Sequence, residues 1–168
     1  MKKNRKKNNN VIFALYANGR GFGFACMEGG QKLIDCGVVT VLPVCNRKIM
    51  KKLKKLFAYV KPTLVFVQDG NGKYSRTGTR TKRLIKRIIS FAKEQNLPTQ
   101  QYSRDQIRVV FEQFGAKTKY EIAQKIIGGL PELKFYAPKI RDLNTSEDRY
   151  MGIFDAVSLV LTHYYLEE

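Results

Sequence analysis

The spacing of apolar residues changes period once along this chain, and that change constrains the fold more than any other feature. Val11 to Ala17 (VIFALYA) is a short apolar run, and Asn18-Gly19 follows it as a hairpin signal. Arg20 to Met27 then alternates around Phe22 and Phe24, and Glu28-Gly29-Gly30 makes a second turn. Lys32 to Leu42 reads as a third strand, closed by Pro43. From Lys48 to Val60 the period becomes helical. Ile49, Met50, Leu53, Leu56, Phe57 and Val60 recur with lysines between them, and Pro62 stops the run.

Thr63 to Val67 (TLVFV) is a continuous β-branched and aromatic run, the pattern of a strand buried on both faces. It ends in the loop Gln68-Asp69-Gly70-Asn71-Gly72. A helix from about Thr81 to Gln95 buries Leu84, Ile85, Ile88, Ile89 and Ala92, and a short strand follows Pro98 near Thr99 to Tyr102. Ser103 with Gln106 and Thr118 with Glu121 each fit a capping box, so two further helices open there. Residues 131 to 145 read as a loop. Ser146 then caps a last helix through Tyr165, with Met151, Phe154, Leu159, Val160 and Leu161 mostly inward. The order β-β-β-α-β-α-β-α-α-α builds an α/β fold. It is a mixed five-stranded sheet, three antiparallel strands followed by parallel crossovers, with helices on both faces. Ribonuclease H-like folds share that order. The expected organisation is a disordered basic arm over residues 1–10 and one domain over residues 11–168.

Charge narrows the function. The 168 residues carry 31 Lys+Arg against 14 Asp+Glu, a formal net charge of +17. An anionic partner is expected, nucleic acid ahead of an acidic membrane. Residues 47 to 61 and 73 to 87 each hold seven basic groups and no acid, whereas acids collect in the C-terminal half. No run of eighteen apolar residues exists, so no membrane-spanning helix is expected, and Met1 to Asn10 lacks the apolar stretch of a secretory signal. Cys26, Cys36 and Cys45 form no C-x-x-C pair, which leaves them as reduced, buried thiols of a cytoplasmic protein.

Three further motifs fail on their surroundings. GRGFGF opens no helix, GNGKYS lacks the upstream glycine of a phosphate loop, and DGNGKYS has Arg80 where a calcium loop needs a glutamate. The loop from Asn71 to Arg80 (NGKYSRTGTR) is a better candidate for phosphate. Its glycines expose amides, its hydroxyls donate, Lys73, Arg76 and Arg80 add charge, and Tyr74 offers a stacking face. Lys82 and Arg83 extend this basic stretch into the following helix, and Arg20 in the first hairpin can reach the same groove.

Nucleases of the ribonuclease H-like fold hold two divalent metals between carboxylates of the first strand, the fourth-strand end and the last helix. Asp69 stands at the fourth-strand end, where an Asp before Gly also makes an ordinary turn. Asp155 stands amid apolar residues of the last helix, and Asp148 lies roughly 10 Å away along that axis. On the first strand there is neither Asp nor Glu, only Tyr16 and then Asn18.

VIFALYANGRGFGFACMEGGQKLIDCGVV resembles the opening hairpin of RuvC-like Holliday-junction resolvases, and SEDRYMGIFDAVSLVLTHYY resembles their last helix. YSRDQIRVVFEQFGAKTKYEIAQKI followed by PEL is similar to a small bacterial subgroup of RuvC-like proteins, so the resemblance covers roughly residues 11 to 166. It implies Mg²⁺ or Mn²⁺ in an active member and a homodimer on a two-fold symmetric junction. It places the first family Asp on Tyr16, the second-motif Glu on Gln68 with Asp69 beside it, and the final Asp on Asp155. The acid or His one turn earlier falls on Gly152, and His163 matches the histidine at the helix end. The residual acids Asp69 and Asp155 are thus the only candidate catalytic or metal-holding groups at these positions.

The reading is a nucleic-acid-binding RuvC-like protein with impaired or absent metal-dependent cleavage, meeting branched or duplex DNA first and RNA second. Two alternatives stay open. One is an active structure-selective endonuclease that uses Asp69, Asp155 and a substitute ligand such as Asp148 or Asn18. The other is a structural subunit that binds RNA or protein through its basic face.

Overall fold

Five strands form a mixed sheet in the order β3-β2-β1-β4-β5 in the computed structural model, which describes residues 10–72, 75–142, 144 and 146–167. The basic segment over residues 1–9 lies outside the described residues. β1 (Val11–Ala17), β2 (Gly21–Glu28) and β3 (Lys32–Thr40) pair antiparallel, while β4 (Leu64–Asp69) joins β1 and β5 (Thr99–Ser103) joins β4 in parallel. The helices are α1 (Asn46–Val60), α2 (Thr79–Glu94), α3 (Arg104–Glu112), α4 (Lys119–Gly129) and α5 (Met151–Glu167). The mixed five-stranded sheet with helices on both faces is the architecture read from the sequence.

Strand alternation divides the interior into two cores, because successive side chains point to opposite faces. Phe13, Leu15, Val65 and Val67 pack beneath α1 and α2, against Ile49, Leu53, Leu84 and Ile88. Ile12, Ala14 and Phe66 face the other way, against α3, α4 and α5. Both faces of β1 and β4 are therefore covered, which is why their sequences are apolar without alternation. Every residue of α5 from Met151 to Val160 is buried, Asp155 and Ser158 among them, so this helix is enclosed on all sides over that stretch. Gly23 of β2 permits its close approach. A Cβ there would lie 2.1 Å from the Gly152 carbonyl carbon.

Both capping boxes form. Ser103 accepts from the Gln106 amide and Thr118 from the Glu121 amide, each with the reciprocal side-chain bond. Two expectations are corrected. Pro131–Tyr136 is a short 3₁₀ helix within the segment expected to be a loop, started by Pro131 and anchored by buried Leu133. The last helix begins at Met151, not at Ser146, and runs through Glu167. Asp148 ends the preceding loop, its Oδ1 accepting from the Tyr150 amide at 2.9 Å and its carbonyl from the Met151 amide at 3.0 Å. The cysteines are all free, yet only Cys26 is buried, and its burial pushes the thiol up to about 12. Cys36 and Cys45 are half-buried.

Candidate nucleic-acid interface

β1 and β4 run side by side in parallel, paired from Ile12–Leu64 to Leu15–Val67, so their C-terminal ends reach the same edge. The pleat sets Tyr16 and Gln68 on the α5 side, the side of Ala14 and Phe66. Gln68 is 2% exposed and both ends of its amide are occupied. Its Oε1 accepts from the Ala17 amide at 3.0 Å and its Nε2 donates to the Ala17 carbonyl at 2.7 Å. The side chain thus continues the β1–β4 ladder by one more pair of bonds.

Asp155 reaches this end of the sheet from α5, where it is 5% exposed. A buried carboxylate needs charged partners, and two converge on it. Arg104 Nη1 donates to Oδ1 at 3.3 Å and Lys119 Nζ donates to Oδ2 at 3.1 Å. Lys119 also reaches Glu147, at 3.1 and 3.2 Å to its two oxygens, and its ammonium lies 5.7 Å from the centre of the Tyr16 ring. Burial alone would lower the pKa of Lys119, but the Asp155 and Glu147 carboxylates outweigh it and hold the ammonium above its ordinary value. Burial and then the Asp155 charge push the Tyr16 phenol upward, so it stays neutral.

In front of this cluster lies a cleft of about 740 Å³. Tyr16, Asn18 and Asp69 border it from the strand ends, and Ser75 to Thr81 from the head of α2. Arg104, Lys119, Arg141 and Glu147 close the far side. Arg76 and Arg80 stand in this wall. Arg80 is also a tie between elements, with Nη1 on Asn46 Oδ1 at 2.8 Å and Nη2 on the Asn18 carbonyl at 2.8 Å. Arg20 is exposed beyond the cleft, Lys82 borders a neighbouring hollow with Gly70 and Asn71, and Arg83 is exposed on α2. These three are therefore not part of the cleft wall. Lys73 and Tyr74 lie outside the described residues.

The metal pair that the fold family implies needs several oxygen donors with neutralising charge. Tyr16 supplies a neutral phenol, the Gln68 amide is occupied, and Asp155 already holds two cations. Gly152 supplies no ligand, and even a Cβ there would sit 3.0 Å from the Gly23 Cα. The substitutes fare no better. Asp69 Oδ1 accepts from the Asn71 amide, Asn18 Oδ1 from the Arg20 and Gly21 amides, and Asp148 from the Tyr150 and Lys139 amides. Asp69 is also one residue beyond Gln68, and a one-residue shift turns a strand side chain to the opposite face. Among the described residues no three His, Cys, Asp or Glu side chains form a metal-holding group. The residues present do not fit a two-metal centre.

Arg104 and Lys119 were not among the residues singled out from the sequence, although a signal existed. Each is the first residue of a capped helix, α3 and α4, where the helix dipole disfavours a cation. A cation placed against that field points to an anionic partner, and for these two the partner is Asp155. Glu147 and Arg141 carried no comparable local signal. His163 is far from this chemistry, its Nδ1 2.6 Å from the Tyr102 hydroxyl and its ring against Phe66.

No family model matches the chain, and no curated protein matches it. Solved structures do. Thermus thermophilus RuvC matches with a TM-score of 0.65 at 15% identity, over 94% of this chain and 95% of that one. T. thermophilus RuvC in complex with a Holliday junction substrate gives 0.64 at 16% identity, over 94% of both chains. The yeast mitochondrial Holliday junction resolvase Ydc2 gives 0.56 at 9% identity, over 95% of this chain and 81% of that one. The chain has the RuvC-like fold, a ribonuclease H-like mixed sheet with helices on both faces.

Proposed function

We propose that this chain is a nucleic-acid-binding protein of RuvC-like fold whose cleft grips phosphate with its own cations and does not hydrolyse it. The observation that carries this reading is Asp155 locked between Arg104 and Lys119. In a two-metal nuclease that carboxylate would hold a divalent cation. Here side-chain cations take up its charge, and the cleft in front of them is lined by Arg76, Arg141 and the tethered Arg80, with Ser75, Thr77 and Thr79 beside them. Such a wall suits phosphate oxygens and carries little base information. Branched or duplex DNA is the first partner and RNA the second. The likeness to a RuvC captured with a Holliday junction substrate supports branched DNA.

Fluorescence anisotropy with a four-way junction, a duplex and an RNA of equal length, all in chelator, tests the binding. The expected result is junction and duplex binding that weakens steeply with salt, and at least a ten-fold loss of affinity in Lys119→Gln. Lys119→Arg restores most of it, because a guanidinium can still bridge Asp155 and phosphate. No binding of any nucleic acid at about 100 mM salt would overturn the proposal.

A further inference from the structure

The two helix layers differ sharply in charge. α1 and α2 each carry six basic residues, with a single acid, Glu94, between them. The elements on the opposite face of the sheet, α3, α4, α5 and the 3₁₀ helix, carry five basic residues against six acidic ones. One face is therefore a polycation and the other is close to neutral.

An ordinary solvated helix face interleaves acids with its lysines and draws small gains from their pairing. That device is missing from α1 and α2. The ion pairs lie on β2–β3 and around Asp155, and among the described residues no basic group of α1 or α2 meets a carboxylate. Both helices also start with cations and no acid in the first turn, against their own dipoles. Between them runs a groove of about 540 Å³, walled by Arg47, Lys51 and Lys54 from α1 and by Lys86, Arg87 and, at its far end, the layer's single acid Glu94 from α2. Phe91 lies along its floor, and the Lys54 ammonium is held 5.3 Å from that ring. The cations are thus arranged in two rows over an apolar base, not scattered.

The rows begin at the cleft. Asn46 at the head of α1 and Arg80 at the head of α2 bond each other reciprocally, Asn46 Nδ2 donating to the Arg80 carbonyl at 3.1 Å. Phe57 and Phe91, further along the same two helices, lie 5.5 Å apart. Both helices therefore leave the cleft rim in the same direction. From Arg47 to Lys54 the row is about 11 Å long at about 1.5 Å per residue, enough to follow about three phosphates of one strand.

We propose that the α1–α2 groove is a second contact surface for nucleic acid, along which a duplex arm runs outward from the cleft. The proposal deepens the phosphate-binding reading of the cleft and rests on it. The partner is a duplex backbone, recognised by charge and spacing without base readout.

The test compares an eight-base-pair duplex with one of twenty-four base pairs, measuring affinity by anisotropy across a salt series. The wild type should show a steeper salt dependence with the longer duplex. The fourfold variant Lys51→Gln, Lys54→Gln, Lys86→Gln, Arg87→Gln should bind the short duplex within two-fold of wild type. With the long duplex its salt slope should fall by roughly two to four, at about 0.9 for each phosphate no longer neutralised. A control changes Arg108, Lys117, Lys125 and Lys134 to Gln on the neutral layer, an equal change in net charge that should leave the long-duplex slope near wild type. Equal losses in both variants, or no loss in the groove variant, would overturn the proposal. Binding of the long duplex lost only in Lys119→Gln would uphold the cleft and reject the groove. Because wild type alone should already distinguish the two duplex lengths, the test stands even if the variant folds poorly. Equal wild-type slopes for both lengths would reject the groove outright.

Discussion

Asp155 is held by opposite charges, whereas the acids of a metal centre repel one another until the metal arrives. The two situations predict opposite signs for one substitution. Asp155→Asn leaves Arg104 and Lys119 facing each other without their shared anion, and breaking a mostly buried pair of this kind costs about 3 kcal/mol. Urea unfolding of the wild type and variant measures it, and a variant that is equally or more stable would contradict the account. The same cluster sets an alkaline limit. Tyr16 and Lys119 both hold their protons more tightly in the fold than in the unfolded chain. Their stabilisation is complete below the unfolded values, about 10 for Tyr and about 10.4 for Lys, and is lost as pH rises through the raised folded values. Thermal unfolding midpoints should therefore fall above about pH 10, and less so in Tyr16→Phe. Tyr16, Gln68 and Gly152 were legible in the sequence as departures from the family's ligand pattern. What occupies their place was not. The Gln68–Ala17 bonds and the Gly23–Gly152 contact join residues far apart in the chain, and no local pattern encodes them.

At the scale of elements, α3 and α4 aim the two cations, and their capping boxes fix where each helix begins. Thr118→Ala removes the acceptor for the Glu121 amide and should cost about 1 kcal/mol. For a chain of this size that corresponds to a fall of about 2–4 °C in the unfolding midpoint. Because Lys119 is the first residue after the cap, junction affinity should fall as well, and calorimetry with anisotropy on one sample checks both. A Thr118→Ser variant should recover both properties. Strands, caps and helix periods were readable because each is a local signal: alternation, Ser or Thr three residues before Gln or Glu, apolar residues every third or fourth place. The start of α5 was misread for an equally physical reason. Ser146-Glu147-Asp148 has the composition of a helix cap, but Glu147 is drawn to Lys119 and Asp148 to the Tyr150 and Lys139 amides. Tertiary partners claimed the side chains that would have opened the helix four residues earlier.

For the whole molecule, most of the net charge of +17 falls on the α1–α2 layer and on the five basic residues of the segment 1–9, while the opposite layer is nearly neutral and a cleft lined by cations lies where the layers meet. No helix among the described residues is long and apolar enough to cross a membrane. A sheet covered on both sides fixes this geometry, since β1 and β4 must end together and α2 must start beside them. On the proposed reading, a RuvC-like fold without the acids at Tyr16 and Gly152 offers phosphate a cationic cleft in place of a metal site. The most direct measurement incubates a labelled four-way junction with the protein in chelator, in Mg²⁺ and in Mn²⁺, and reads complex and product from the same samples. The account predicts complex in all three, weakened by the divalent ions only as salt weakens it, and no cleavage product. Product that appears only with metal, and that vanishes in Asp155→Asn, would contradict it.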